Sequence, residues 1–114
     1  GAKANEPLFR ELVHGAHIRQ DVIRGHLAPA LNDGWSYERL DIILRSVLRL
    51  GTFELLARFE VPAAVIISEY IDMADEFFSG DEPAAVNAVL DRVAREVRPG
   101  ELESHHDKSV RPAG

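Results

Sequence analysis

Cysteine is absent from the 114 residues of this chain. Its absence excludes disulfide bonds, zinc sites built from thiolates and catalysis by a thiol nucleophile, and it agrees with a reducing compartment. Long hydrophobic runs are also missing, since none reaches the roughly 18 to 20 residues that a membrane-spanning helix needs. The first residues, GAKANEPL, lack the charged-then-apolar order of a secretory signal. These absences predict a cytoplasmic protein without membrane contact.

The chain has no excess of basic residues. It carries 13 Lys and Arg against 19 Asp and Glu, which gives a formal net charge of −6. Proteins that bind nucleic acids unaided normally carry surplus cations that replace the counterions of the phosphates. A role in RNA binding would therefore need local basic patches or a basic partner. With 46% hydrophobic residues, the length suits one small domain.

Apolar residues recur at helical spacing along most of the chain, and no stretch shows the alternation of a strand. The first predicted helix covers residues 6 to 26 and ends near Pro29. Asn5 is its cap, and Glu6 and Pro7 occupy its first turn. The turn residues Asn-Asp-Gly follow at positions 32 to 34.

The central stretch, residues 40–61, is the most apolar segment, and Ser36 with Glu38 is predicted to cap its helix. Its apolar positions form one broad face, which predicts a helix in the middle of a bundle: Leu40, Ile42, Ile43, Leu44, Val47, Leu48, Leu50 and Leu55.

A narrow polar ridge runs along the same predicted helix. Asp41, Arg45 and Arg49 follow one another at intervals of four residues, so Asp41 is predicted to pair with Arg45. Gly51 costs about 1 kcal/mol relative to alanine inside a helix. We therefore expect Gly51 to mark a close approach between helices.

Two further helices complete the prediction. The third begins at Pro62 and ends near Phe77 and Phe78, and the fourth runs from about Asp81 to about Val97. The buried face of the third helix is predicted to contain Val65, Ile67, Ile71, Ala74 and Phe78. The sequence thus predicts an all-α domain over residues 1–99 and a flexible polar tail over residues 100–114.

Five histidines are the first candidates for metal ligands. His14 and His17 lie three residues apart on the first helix, and His105, His106 and Asp107 lie together in the tail. Structural zinc needs four well-placed ligands, and no complementary set of carboxylates and histidines occurs at a fitting spacing. We predict no metal site, with the histidines at helix rims or in solvent.

Three clustered carboxylates are candidates for catalytic groups. Asp72, Asp75 and Glu76 cluster late in the third helix, where they oppose the helix dipole. This favours a solvated face or a partner contact over acid–base catalysis. The sequence has no nucleophile elbow, glycine-rich phosphate loop or HExxH motif. We therefore predict a protein that is not an enzyme and needs no cofactor.

Two aromatic residues and three arginines are better candidates for binding. Phe77 and Phe78 end a helix beside the loop that leads to Asp81, where one exposed ring could stack on a base and free N–H groups could meet a phosphate. Phe78 is predicted to be the buried ring of the two. A basic stripe at intervals of three residues on the fourth predicted helix either serves RNA or complements the C-terminus of that same helix: Arg92, Arg95 and Arg98.

Four segments carry a resemblance to a known family: LFRELVHG, ERLDIILRSVLRLGTFELL, VPAAVIISEYIDMADEFF and VNAVLDRVARE. In this order, and from about residue 6 to residue 98, the chain resembles the later part of the NusB family of bacterial transcription antitermination factors. The resemblance implies a compact helical bundle of the NusB type, made of the second three-helix subdomain plus the last helix of the first.

The resemblance also implies a function. Family members bind the boxA element of ribosomal-operon RNA together with the ribosomal protein NusE and help RNA polymerase, in the elongation complex, to read through terminators. The family's RNA contacts map to Phe77, Asp81, Asn87 and Arg92. Its NusE contacts map to Leu31, Tyr37, Leu40, Asp41 and Leu44.

The chain departs from the family pattern in two places. Members open with an arginine-rich helix of the form ARRxARExAVQALY, which this chain does not contain, and Ala85 replaces the aromatic residue of FVNGVL. Without the opening helices, part of the apolar face of the first helix has no partner within the chain. We then expect a homodimer or a helix swap to cover it.

Two other functions fit the same sequence. NusB-like domains also form the N-terminal part of some ribosomal RNA cytosine methyltransferases, so the chain could be a detached RNA-binding module of such an enzyme. A purely structural helical dimer would keep the fold without RNA binding, and it predicts no response to boxA-like sequence.

Overall fold

The computed structural model describes residues 6–31 and 36–102. These residues form five α-helices and one short 3-10 helix, and they contain no strand. In chain order the elements are α1 (Glu6–Ile18), α2 (Gln20–Ala30), the 3-10 helix (Tyr37–Arg39), α3 (Ile42–Ala57), α4 (Ala63–Phe77) and α5 (Glu82–Val97). The α3 helix contacts each of the other four helices and forms the centre of the bundle. The predicted all-α class is confirmed.

The first predicted helix is in fact two helices joined at Arg19. The hydrogen-bond ladder continues across the joint, because the Arg19 amide donates to the Gly15 carbonyl (3.0 Å) and the Ile23 amide donates to the Arg19 carbonyl (2.9 Å). The interruption is therefore a local bend. The α2 helix then ends at Ala30, one residue beyond Pro29.

The cap of α3 differs from the prediction. The Asp41 carboxylate accepts hydrogen bonds from the amides of Ile43 (2.8 Å) and Leu44 (3.4 Å), so Asp41 caps the helix. Ser36, the predicted cap, precedes the 3-10 helix and makes no capping hydrogen bond. A short 3-10 helix lies between the two residues, so the observed cap, Asp41, lies five positions after the predicted one, Ser36.

The predicted ion pair between Asp41 and Arg45 is also wrong. Arg45 Nη2 instead donates to the carbonyl oxygens of Glu38 (3.3 Å) and Leu40 (3.2 Å). Those two carbonyls belong to the turn before α3, where the backbone is not yet helical and offers acceptors. Arg45 thereby holds the turn against the first part of α3.

The buried face of α3 overlaps the predicted one only in part. Ile42 and Ile43, in its first turn, are 72% and 42% exposed, although both were predicted to be buried. Leu40, just before the helix, is buried as predicted. The residues of α3 that are buried are Leu44, Val47, Leu48, Gly51, Thr52, Phe53 and Leu55.

Gly51 marks a close approach of α3 to both α4 and α5, as predicted. A Cβ atom at this position would lie 2.8 Å from Leu90 Cδ1 and 3.4 Å from Tyr70 Cγ. Even an alanine would crowd the buried Leu90 side chain. The missing side chain of Gly51 therefore lets three helices meet at one level.

The α4 helix begins after Pro62, as predicted, but its buried face is rotated from the predicted one. Val65 is 44% exposed, and its burial was a wrong prediction. Ile71 and Phe78 are half-buried against the core. The buried residues of α4 are Ala63, Ile66, Ile67, Tyr70 and Ala74. The burial of Tyr70 was not predicted, because a hydroxyl group is more typical of a surface residue.

Tyr70 is buried because its hydroxyl has a partner. Its Oη donates to Glu54 Oε2 at 2.5 Å, which satisfies the one polar atom of the ring. Burial, reinforced by the hydrogen bond to the Glu54 carboxylate, raises the pKa of Tyr70 well above its usual value. The folded protein therefore keeps this proton at pH values where the unfolded chain loses it.

The raised pKa predicts a loss of stability at high pH. The stabilisation from the Tyr70 proton is fully present below about pH 10, the ordinary tyrosine pKa, and above it the free energy of unfolding falls by up to about 1.4 kcal/mol per pH unit. Tyr70→Phe should remove this part of the dependence. It should also cost about 1 to 2 kcal/mol at pH 7, because Glu54 loses its donor. Urea denaturation of both proteins at several pH values measures this, and parallel curves would contradict it.

Arg92, on α5, and Arg98, the residue directly after α5, donate to the C-termini of other helices. Arg98 is 4% exposed and donates to four carbonyls at the end of α3 and in the following loop. The acceptors are Leu55 (2.9 Å), Val61 (2.6 Å), Arg58 (2.8 Å) and Glu54 (3.4 Å). Arg92 Nη1 donates to the Ala30 carbonyl at the end of α2 (2.8 Å). The carbonyls that Arg92 and Arg98 contact end other helices and not their own, which the sequence did not predict.

The described chain continues past α5. Glu101 Oε2 accepts a hydrogen bond from the Ala63 amide at the start of α4 (2.6 Å), and Leu102 packs against the core. Residues 103–114, with His105, His106 and Asp107, lie outside the described residues, so the predicted tail stays a prediction. Within the described ranges, no helix combines the length and apolar character needed to cross a membrane.

Candidate RNA and partner surfaces

Phe77 is the last residue of α4, and 59% of its surface is exposed. Its neighbour Phe78 is half-buried and packs against the core. The backbone turns from helical to extended at Phe78, which directs the two rings to different environments. The prediction that Phe78 is the inner ring is confirmed, and Phe77 offers a free aromatic surface beside a loop.

Asp81 lies at the other end of that loop and immediately precedes α5. Its carbonyl accepts the amide of Ala85 (3.0 Å), but its carboxylate makes no capping hydrogen bond to the helix. The side chain is exposed, so the carboxylate can accept hydrogen bonds from a ligand. Amino groups of bases and the 2′-hydroxyl of ribose are donors of this kind.

The charge around this loop disfavours phosphate. Asp81 is followed by Glu82, whose Oε1 is buried close to Gly80 and has no hydrogen-bond donor among the described residues. Two adjacent carboxylates oppose the approach of a phosphate to the start of α5. The chemistry available at this end of the molecule is base stacking and hydrogen bonding to donor groups.

Asn87 and Arg92, the other two predicted RNA contacts, lie on α5 and are both exposed. Their separation of five residues places them about 140° apart around the helix axis. Arg92 faces α2, where one guanidinium nitrogen is already used by Ala30. The structure therefore groups Phe77 with Asp81 and sets Arg92 on a different edge, about 16 Å along the axis from Asp81.

The junction of α2, the 3-10 helix and α3 centres on Tyr37. The guanidinium carbons of Arg24 and Arg45 lie 5.1 Å and 5.4 Å from the centre of its ring. Arg24 also pairs with Glu38. Two cations held against an aromatic ring stabilise the turn and leave Tyr37 half-buried. This cluster was not foreseen, since Arg24 and Tyr37 are far apart in sequence.

The five predicted partner residues are not equally accessible. Leu40 and Leu44 are only 6% and 2% exposed, so their side chains are not available to contact another protein. They belong to the core beneath the junction because the face of α3 that carries them packs inward. Leu31 and Tyr37 are half-buried, and Asp41 is exposed while it caps α3.

His14 and His17 lie in a groove of about 420 Å³ between α1 and α3. The groove is lined by Phe9, Arg10, Val13, His14, His17 and Arg49. Two arginines beside the histidines oppose a metal cation. In residues 6–31 and 36–102, no three His, Asp or Glu side chains are grouped so that they could hold a metal ion. Asp72, Asp75 and Glu76 are exposed on α4.

Comparison with known proteins identifies relatives of this fold. The NusB family model matches residues 2–95. Over 96 residues the chain is 48% identical to the transcription antitermination protein NusB of Rhizobium rhizogenes, and 50% identical to that of Allorhizobium ampelinum. Each match covers 84% of this chain and 60% of the relative, so the chain spans less than two thirds of these proteins.

A solved structure supports the same relationship. NusB of T. maritima superposes with a TM-score of 0.76 at 35% sequence identity, over 89% of this chain and 70% of that one. The agreement covers the helical bundle described above, and the curated relatives are named as antitermination proteins rather than as methyltransferases. This chain belongs to the NusB family.

Proposed function

We propose that this chain is the RNA- and protein-binding part of a transcription antitermination factor. It binds boxA-type RNA of ribosomal operons together with NusE, and it helps the elongation complex to read through terminators in the cytoplasm. The names of its relatives support this role. The observation that carries the RNA contact is the exposed ring of Phe77 at the end of α4. It lies beside Asp81, whose carboxylate makes no capping hydrogen bond to α5.

Stacking and hydrogen bonding supply the RNA contact in this proposal. A single-stranded base stacks on Phe77, and an amino or 2′-hydroxyl group donates to Asp81. Asn87 adds an amide on the flank of α5, and Arg92 contributes the guanidinium nitrogens that Ala30 does not use. None of these contacts relies on a dense phosphate-binding surface, which agrees with the net charge of −6.

A basic partner supplies what the chain lacks. NusE binds at the Tyr37 junction in this proposal, through Tyr37, Asp41 and the accessible part of Leu31. The exposed Asp41 carboxylate can receive a cation while it caps α3. A basic protein at this junction adds positive charge for RNA phosphates, so binding of RNA and partner is cooperative.

Fluorescence anisotropy tests the function directly. Labelled boxA-type RNA and a scrambled RNA are titrated with the chain, with and without NusE, at two salt concentrations. We expect selective binding of the boxA-type RNA that becomes tighter when NusE is present. Equal affinity for both RNAs, or no binding by the folded chain in the presence of NusE, would contradict the proposal.

Phe77→Ala tests the stacking contact. We expect it to weaken binding of boxA-type RNA by about 1 to 3 kcal/mol, the usual contribution of one base stacked on an aromatic ring. Phe77→Tyr keeps the ring and should bind nearly as the unmodified chain. Phe9→Ala removes a ring of similar exposure from α1 and serves as the matched control. Equal affinities of Phe77→Ala and Phe9→Ala would remove Phe77 from the site.

A further inference from the structure

The peptide unit that joins Ala30 to Leu31 is held from both sides. Its carbonyl oxygen, on Ala30, accepts a hydrogen bond from Arg92 Nη1 at 2.8 Å. Its N–H group, on Leu31, donates to the carbonyl oxygens of Leu27 (3.2 Å) and Ala28 (3.4 Å) inside α2. Because a peptide unit is planar, holding both polar groups fixes its orientation. The direction in which Leu31 leaves α2 therefore depends in part on an arginine of α5.

A second hydrogen bond joins the same two helices one turn away. His26 Nδ1 donates to Glu96 Oε1 at 2.6 Å. Along α2, His26 precedes Ala30 by one helical turn, and along α5, Glu96 follows Arg92 by one turn. The two hydrogen bonds therefore lie side by side where α2 packs on α5. Two contacts spaced in this way resist both sliding and rotation of α2 against α5.

The opposite side of α2 supports the Tyr37 junction. Arg24 and His26 are two residues apart in sequence, which places them about 200° apart around the helix axis. The guanidinium carbon of Arg24 lies 5.1 Å from the centre of the Tyr37 ring, and Arg24 pairs with Glu38. Leu31, which ends α2, is half-buried against the core. The α2 helix is thus the element that connects α5 to the junction.

We propose that Arg92 is a positioning residue of the partner site, which acts through Leu31 without contacting the partner itself. This role rests on the function proposed above, in which NusE binds at the Tyr37 junction. By donating to the Ala30 carbonyl, Arg92 holds Leu31 in the orientation that the partner contacts. An orientation that is set before binding spares the partner the cost of ordering this end of α2.

A purely structural role for Arg92 predicts a different result. In that case Arg92 only supplies a donor for a carbonyl at the end of α2, as Arg98 does at the end of α3. Its loss would lower the stability of the bundle and leave the affinity of the folded chain for the partner unchanged. In the positioning role, the affinity falls even when the chain is fully folded, and the loss depends on the Leu31 side chain.

The first test is isothermal titration calorimetry with NusE, in the absence of RNA. We expect Arg92→Ala to bind NusE about five- to tenfold more weakly than the unmodified chain. Arg92→Lys keeps a cation that can donate to the same carbonyl, so its affinity should lie between the two. Arg95→Ala is the matched control, because Arg95 Nε donates to Asp91 on its own helix (2.9 Å), and it should bind as the unmodified chain does.

The second test asks whether Arg92 acts through Leu31. Leu31→Ala alone should weaken NusE binding, because it removes the side chain that Arg92 orients. Adding Arg92→Ala to it should then cost less than about twofold more, so the two losses are not additive. Circular dichroism and urea denaturation should show that every variant is folded at the temperature of the titration. If Arg92→Ala does not fold, Arg92→Lys carries the same comparison in both backgrounds.

Two results would overturn this role while NusE binding itself persists. Equal affinities of Arg92→Ala and the unmodified chain would show that Leu31 needs no support from α5. A loss of the same size in the presence and absence of the Leu31 side chain would show that Arg92 acts by another route. Failure of the folded, unmodified chain to bind NusE would be a third and separate result, since it would contradict the function proposed above and this role with it.

Discussion

Replacing Arg98 by alanine is expected to lower the free energy of unfolding by about 3 kcal/mol or more. The guanidinium donates to four backbone carbonyls that end α3 and form the loop before α4. It also lies over the ring of Phe59, with 4.7 Å between the guanidinium carbon and the ring centre. Alanine would leave the carbonyls without donors and open a cavity beneath the loop.

Urea denaturation followed by circular dichroism measures this change. Arg10→Ala is the matched control, because Arg10 is exposed and its pair with Glu6 is a surface contact four residues apart. Its expected cost is about 0.5 kcal/mol or less. Arg98→Lys should fall between the two, since an ammonium group has fewer donors and lacks the planar fork. A loss in Arg98→Ala no larger than in Arg10→Ala would show that water replaces the guanidinium.

Gly51→Val is expected to destabilise the fold by about 2 to 3 kcal/mol. The first added carbon would lie 2.8 Å from Leu90 Cδ1, and the two further methyl groups would force α3 away from α4 and α5. Leu90 is fully buried, so its side chain has little room to move. Thermal unfolding followed by circular dichroism should show a clear decrease in the melting temperature.

Gly25→Ala is the matched control for that substitution. Gly25 is an exposed glycine within α2, and no atom lies within 4 Å of an added Cβ. Alanine there should stabilise the protein by up to about 1 kcal/mol through its greater helix propensity. If Gly51→Val and Gly25→Ala changed stability in the same direction, packing at Gly51 would not be the reason for its glycine.

The helix boundaries that sequence revealed are those carrying local chemical signals. Pro62 fixes the start of α4, and Pro83 lies in the first turn of α5. The position of Gly51 at a close approach was also readable, since a helical glycine is costly unless packing requires it. In each case, the residue that carries the signal lies at the helix start or the close approach that it indicates.

The boundaries that sequence missed depend on contacts between distant residues. The bend at Arg19 has no proline or turn residue, and the hydrophobic spacing continues through it. Arg19 lies over the ring of Phe53, with 5.8 Å between the guanidinium carbon and the ring centre, and that ring in turn packs closely on Gly15. Nothing in the spacing of apolar residues along one helix indicates where a residue of another helix will press against it.

The candidate site, like the helix boundaries, could be predicted from the sequence only where neighbouring residues along the chain determine it. Exposure of Phe77 followed from the helical spacing of its neighbour Phe78, which is a local property. The burial of Leu40 and Leu44 was read correctly as part of the core face, but it conflicts with the partner contact that the family resemblance assigned to them. A resemblance transfers positions along the chain, whereas accessibility depends on the packing of the whole bundle.

The contacts of Arg92 and Arg98 have a consequence for synthesis of the protein. The chain leaves the ribosome from its N-terminus, so α2 and α3 emerge before the residues that bind their terminal carbonyls. Arg92 and Arg98 donate to those carbonyls only after α5 and the residue that follows it have been synthesised. In the nascent bundle the carbonyls at the ends of α2 and α3 therefore lack these donors until residues 82–98 have left the ribosome.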